Sequence, residues 1–201
     1  MTMRTAAVVL RGAVWPTTAG LTGAALVLGV VADADARSVA GPGLLQVAFA
    51  LLAASAAATL DDPAGAVADV APVGYAKQAL RRSAALTLPL SVGTVLISGA
   101  AFGRMKLPVT DLCVALVGGV TLGFAVAVIA RCRVEEPGRW APTAVAIALV
   151  AGPALPLIGR RVAFFPGEEN SGALSSTAWW LLATPASLVV IAAVLRRANH
   201  P

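Results

Sequence analysis

The side chains in this sequence that can act as acids, nucleophiles or metal ligands are few and scattered. Asp61, Asp62 and Asp69 share one segment with Pro63, Val67, Val70 and Pro72. Two cysteines, Cys113 and Cys132, stand 19 residues apart, and the single histidine is His200. A zinc or haem site needs Cys or His at close spacing, as in Cys-x2-Cys, and neither cysteine has such a neighbour. Nineteen residues along one helix, at 1.5 Å each, separate the two thiols by roughly 28 Å. A disulfide needs Cα atoms within about 7 Å. An enzyme active site at a membrane surface needs clustered Asp, His or Glu, and the adjacent Asp61-Asp62 pair alone does not form such a constellation. The expectation is a chain with no catalytic residues, no metal site and no cofactor of its own.

The elements that would carry these residues follow from composition. The 201 residues are 58% hydrophobic and only 12% charged, with a mean hydropathy of +0.84. Soluble domains carry about 25% charged residues, because water must be met by polar surface. Half that figure leaves lipid as the main solvent. Charge-free intervals then locate the spans: Gly12–Ala32, Ser38–Leu60, Ser83–Gly103, Leu112–Ala130, Trp140–Gly159 and Asn170–Leu195, of 21, 23, 21, 19, 20 and 26 residues. Each meets or closely approaches the roughly 20 residues needed to cross ~30 Å of hydrocarbon. Buried helices of a soluble fold would give runs of 10–14 with charges along one face. The expected fold is all-α: a polytopic integral membrane protein, one transmembrane domain over 1–201. Its six transmembrane helices fall at about 13–32, 41–60, 84–103, 112–130, 141–159 and 178–195.

The first of these has the basic residues and small-residue site (Ala32-Asp33-Ala34) of a signal peptide, but its apolar stretch exceeds the roughly 7–15 residues of a signal core. It reads as a retained helix. Lysine and arginine accumulate on the cytoplasmic side of membrane proteins. With six spans, placing both termini inside puts Arg4, Arg11, Lys77, Arg81, Arg82, Arg131, Arg133, Arg139, Arg196 and Arg197 in the cytoplasm. Arg37, Arg104, Lys106, Arg160 and Arg161 then lie outside, a bias of two to one. The net charge of +5 therefore reads as topology and contact with anionic lipid, in a bacterial plasma membrane, and not as a nucleic-acid patch. Trp15 and Trp140 fall at expected inner helix ends and Trp179-Trp180 at an outer one, where amphipathic rings sit.

None of the six intervals holds Asp, Glu, Lys, Arg or His. Proton relays, carboxylate hydrolysis and metal catalysis within the membrane all need such groups, so apolar spans suit either a scaffold or a pathway driven from elsewhere. Gly99-x3-Gly103 and Gly119-x3-Gly123 have the spacing that lets helices approach closely, with one of the two expected to be a true contact face. Pro153 and Pro156 each remove an intrahelical hydrogen bond late in the fifth span, which predicts a kink, a break or a re-entrant turn there.

The loops are unequal. Segment 61–82 reads DDPAGAVADVAPVGYAKQALRR. Asp62 suits an N-cap and Pro63 the first helical position. Ala64, Val67, Ala68 and Ala71 make one helical face with Val70 beside it, and Pro72 stops the turn. This predicts a short cytoplasmic helix between spans two and three. Its aspartates are repelled by an anionic leaflet, so a protein partner suits it better than lipid.

The order of parts resembles the permease subunit of ATP-binding-cassette exporters of the second permease type. The pieces that carry the resemblance are MTMRTAAVVLRG as an amphipathic N-terminus, DDPAGAVADVAP as a coupling helix and GRRVAFFPGEENSGALSS as an element between spans five and six. The chain has no P-loop, so the resemblance implies a separate ATP-binding ATPase subunit and a second permease subunit, in a homo- or heterodimer. Val67 and Val70 would then rest in an ATPase groove, with Asp61, Asp62 and Asp69 at its rim and Pro63 and Pro72 bounding the helix. The alternative is a non-transport structural or assembly subunit of a larger membrane complex, which needs only helix faces and surface loops.

Overall fold

The computed structural model describes residues 15–36, 40–60, 82–131, 140–152, 165 and 175–197. Six α-helices run through them: α1 (Trp15–Ala34), α2 (Ala40–Ala58), α3 (Thr87–Phe102), α4 (Val109–Arg131), α5 (Ala141–Ala151) and α6 (Ser176–Arg197). A 3-10 turn, Ser83–Leu86, leads into α3. Five of these, with the turn counted into α3, are long and apolar enough to cross a membrane; α5, at 11 residues, is shorter. There is no strand among the described residues. The architecture is that of a polytopic membrane protein, because in hydrocarbon a helix satisfies its backbone polar groups within itself.

Local sequence explains where the helices begin. Pro16, Pro42 and Pro142 stand in the first turns of α1, α2 and α5, and Pro108 immediately precedes α4. At these positions a missing N–H leaves no hydrogen bond unmade. Ser175 caps α6, its hydroxyl accepting from the Ala178 N–H at 3.3 Å. The turn after α3 is tight, with Leu107 N–H returning to the Ala100 carbonyl at 3.1 Å. It brings Lys106 into the left-handed region at φ 54°, which side-chain-bearing residues seldom occupy.

Helix α2 is the centre: α1, α3, α4 and α5 all pack on it. Its sequence, AGPGLLQVAFALLAASAAA, is apolar and small on every side, the pattern of a helix enclosed all round. Residues Leu52–Leu60 are buried without a break. The buried hydroxyls of Ser55 and Thr59 donate to carbonyls of their own helix, at 2.9 and 2.7 Å. The spanning stretches of α2 and α4 are each 61% buried, against 11% for α6, which packs chiefly on α4.

Glycines let the helices meet. A methyl group at Gly29 of α1 would overlap Leu96 of α3, one at Gly93 of α3 would overlap Leu116 of α4, and one at Gly118 of α4 would overlap Trp180 of α6. At Gly123 of α4 the obstruction is the backbone carbonyl of Ala53 in α2, while at Gly119 the nearest atom is the Ala53 Cβ at an ordinary 3.6 Å. The Gly119-x3-Gly123 motif is thus a close helix contact. In Gly99-x3-Gly103, Gly99 faces open space and Gly103 abuts the Asp33 carboxylate. Trp180 sits at its expected end of α6 but is buried, filling the gap above Gly118 instead of facing an interface.

These contacts set an expected ordering. Gly123→Ala drives a methyl into backbone that cannot step aside, and should destabilise the protein by about 1–3 kcal/mol. Gly119→Ala meets only van der Waals contact and gains up to ~1 kcal/mol of helix propensity. Thermal unfolding in detergent should place the first variant below the parent and the second at or above it.

Candidate functional site

Every described acidic or basic side chain lies at a helix end or in a connection. Arg82, Arg131, Arg196 and Arg197 gather at one end of the bundle, with no acidic side chain among the described residues there. Asp33, Asp35, Arg104, Lys106 and Asp111 gather at the other. The mixed end is tied by polar contacts between helices. Asp33 Oδ1 accepts from the Arg104 backbone N–H at 2.9 Å, and the Arg104 guanidinium donates to the Ala34 carbonyl at 3.2 Å, joining α1 to the turn after α3. Asp111, in the first turn of α4 where a negative charge suits the helix dipole, accepts from the Thr177 hydroxyl of α6 at 2.5 Å. A shallow depression lined by Ala34, Asp35, Gly103, Arg104 and Lys106 opens beside the first of these ties.

At the basic end the central feature is a staple. Arg82 donates from its guanidinium to the Leu60 carbonyl at 3.1 Å. That oxygen lies just past the C-terminus of α2, where carbonyls have no partner within the helix and a cation suits the dipole. The bond joins the two residues that bracket segment 61–81, so the 21 residues between them form a closed loop held at its neck. Its roots are α2, the centre of the bundle, and the 3-10 turn that opens α3. The sequence-derived contact residues Asp61, Asp62, Pro63, Val67, Asp69, Val70 and Pro72 all lie within this loop and outside the described residues. The short cytoplasmic helix expected over them lies outside as well.

Helix α3 continues from the staple and carries a pattern that reading for charge passes over. Thr87, Ser91, Thr94 and Ser98, at spacings of four, three and four, share one helical face, and that face is exposed. Each hydroxyl donates back to a carbonyl of its own chain: Thr87 to Ala84 at 2.8 Å, Ser91 to Thr87 at 2.7 Å, Thr94 to Leu90 at 2.8 Å and Ser98 to Thr94 at 2.9 Å. Beside them Gly99 opens onto empty space. Val95 and Phe102 are exposed alongside them, and the outward face of α6 presents Leu181, Leu182, Leu188, Val189 and Val190 without such a hydroxyl row. Large aliphatics match acyl chains, whereas small hydroxyl residues in a membrane helix characterise surfaces that meet other helices. The spacing was present in the sequence; what hid it is that Ser and Thr carry no charge and do not interrupt a hydrophobic interval.

Chemically, this arrangement holds and positions helices. Among the described residues no three His, Cys, Asp or Glu side chains lie together as a metal site would require. Cys113 is exposed on the first part of α4, and Cys132 and His200 lie outside the described residues. No protein-family model, no curated protein and no solved structure matches the chain.

The staple is open to a direct check. Arg82→Ala leaves the Leu60 carbonyl without its donor and should reduce stability by about 1 kcal/mol, the low end for a charge-assisted bond because the site is only part-buried. The distinctive outcome is local: amide exchange across 61–81 should quicken while that of α4 stays unchanged.

Proposed function

We infer that the chain is the membrane-spanning subunit of an ATP-driven exporter. In this reading the 61–82 loop docks a separate ATPase subunit, and two permease subunits together line the path of the cargo. The observation that carries it is the Leu60–Arg82 staple. The bond joins the two roots of the loop, which lead into the central helix α2 and into α3 with its outward hydroxyl face. A force applied to the loop by a partner would thus reach both α2 and α3.

The energy source is inferred from the same chemistry. No Asp, Glu, Lys, Arg or His stands in the interior of any described helix. Coupling to protons ordinarily uses ionisable groups at mid-depth, so nucleotide hydrolysis on a partner suits this chain better. The order of parts in the sequence resembles that of the second permease type of ATP-binding-cassette exporters, in line with this reading. The four arginines at the staple end favour that end as cytoplasmic. Both termini would then lie inside a bacterial plasma membrane.

A structural or assembly subunit of a larger membrane complex is the second reading. The same outward face of α3 favours it, since an interface between helices needs no moving cargo.

Three outcomes are expected. In intact cells, Arg197→Cys should be protected from impermeant thiol reagents and Ser175→Cys labelled; the reverse pattern would invert the orientation. Dissipating the proton gradient while ATP is maintained should leave transport running. Replacing Val67 and Val70 together by Asp removes about 1.5–3 kcal/mol of burial for each valine and should weaken ATPase docking by several powers of ten. At matched expression, loss of the ATPase from the purified complex is the expected result. Full retention would leave the structural reading ahead.

A further inference from the structure

Among the described α-helices only α5 is too short to cross a membrane. Its 11 residues span about 16 Å, roughly half of a ~30 Å hydrocarbon core. Its final turn closes when the Gly152 N–H reaches the Ala148 carbonyl. The next carbonyl in line is that of Leu149, whose helical partner would be the N–H of residue 153. Position 153 is proline and has no N–H. Whatever course the chain takes beyond Gly152, the Leu149 oxygen has no i+4 donor. Leu149 is buried at 3% exposure, on the face of α5 that also buries Val145 and Gly152, and α5 packs mainly on α2. There is no water in the bilayer core to solvate such an oxygen.

The donor comes from the neighbouring helix. Gln46 of α2 is the only Asn or Gln among the described residues, and its Nε2 donates to the Leu149 carbonyl at 3.5 Å. We propose that Gln46 supplies, from α2, the N–H that Pro153 removes from α5, and so ties the last turn of α5 to α2. Two independent observations meet here: the proline four residues after Leu149 and the side-chain amide aimed at the Leu149 oxygen. A third agrees with them. Phe165 is buried against Phe49, one turn along α2 from Gln46. Their ring centroids are 6.2 Å apart and the rings meet edge to face at 87°. A residue 12 positions beyond Pro153 is therefore again against α2, beside Gln46. The amide is also a neutral donor, so the tie is made without placing a charge in the membrane. This device stands apart from the exporter reading and survives if that reading fails.

A double-mutant cycle on the full-length protein in detergent tests it, with Gln46→Met as a donor-free replacement of similar length and Pro153→Ala as restoration of the missing N–H. In the parent background, Gln46→Met should lower the folded-to-unfolded ratio about three- to tenfold, the range for interhelical hydrogen bonds in membranes. In the Pro153→Ala background the same change should alter it less than about twofold, because residue 153 now supplies the donor. Equal losses in both backgrounds would overturn the proposal and reduce Gln46 to a packing residue. A second measurement does not depend on Pro153→Ala folding. An isotope-edited infrared band from the Leu149 carbonyl should move to higher frequency in folded Gln46→Met, and an unmoved band would equally overturn the assignment.

Discussion

The rest of the bundle depends on the approach of α2 to α4 at Ala53 and Gly123. In lipid there is no hydrophobic gain in pressing one apolar helix on another, so association rests on dispersion contacts and on the few polar bonds between helices. Both demand short distances. The Gly123 Cα faces the Ala53 carbonyl so closely that no side-chain atom fits between them, and α1, α3, α5 and α6 are arranged around the pair. The outer contacts repeat the idea with one glycine and one large residue each: Leu96 over Gly29, Leu116 over Gly93 and Trp180 over Gly118.

Charge was the property that made the fold legible. Lipid excludes ionic groups, so the intervals between them are the helices. Five of the six intervals hold a described helix long and apolar enough to cross a membrane, and the other holds α5. There the interval ran on to Gly159, and the described residues reach only to Gly152. Packing was less legible. Gly99-x3-Gly103 and Gly119-x3-Gly123 are the same motif in sequence, yet both glycines of the second face α2, whereas in the first Gly99 faces open space and only Gly103 meets a neighbour, since motif spacing does not say which way a helix is turned. Trp180 shows the same limit: its position along α6 was readable and its inward rotation was not.

The candidate site divides along the same line. Asp61, Asp62, Pro63, Val67, Asp69, Val70 and Pro72 were singled out by capping and periodicity, which are local properties. The bond at the neck of their segment, from Arg82 to Leu60, joins residues 22 apart and depends on how α2 and α3 meet. In sequence Arg82 counted only as one more positive charge on the inner side. The hydroxyl face of α3 escaped for the opposite reason: its residues are local and periodic, but a scale that grades polarity coarsely treats Thr87, Ser91, Thr94 and Ser98 as part of an apolar run.

Helix α6 leans on the bundle through a single stripe, burying Ser176, Trp180 and Ser187 while most of its surface faces outward. That has a meaning for biosynthesis. The contacts among α1 to α5 close without it, so the core can form while the last span is still at the insertion machinery. Trp180, which fills the gap over Gly118, comes within the first five residues of the helix. The ring that seats α6 thus enters the membrane at its leading end, before the aliphatic length that follows, and the final step of assembly starts from its most specific contact.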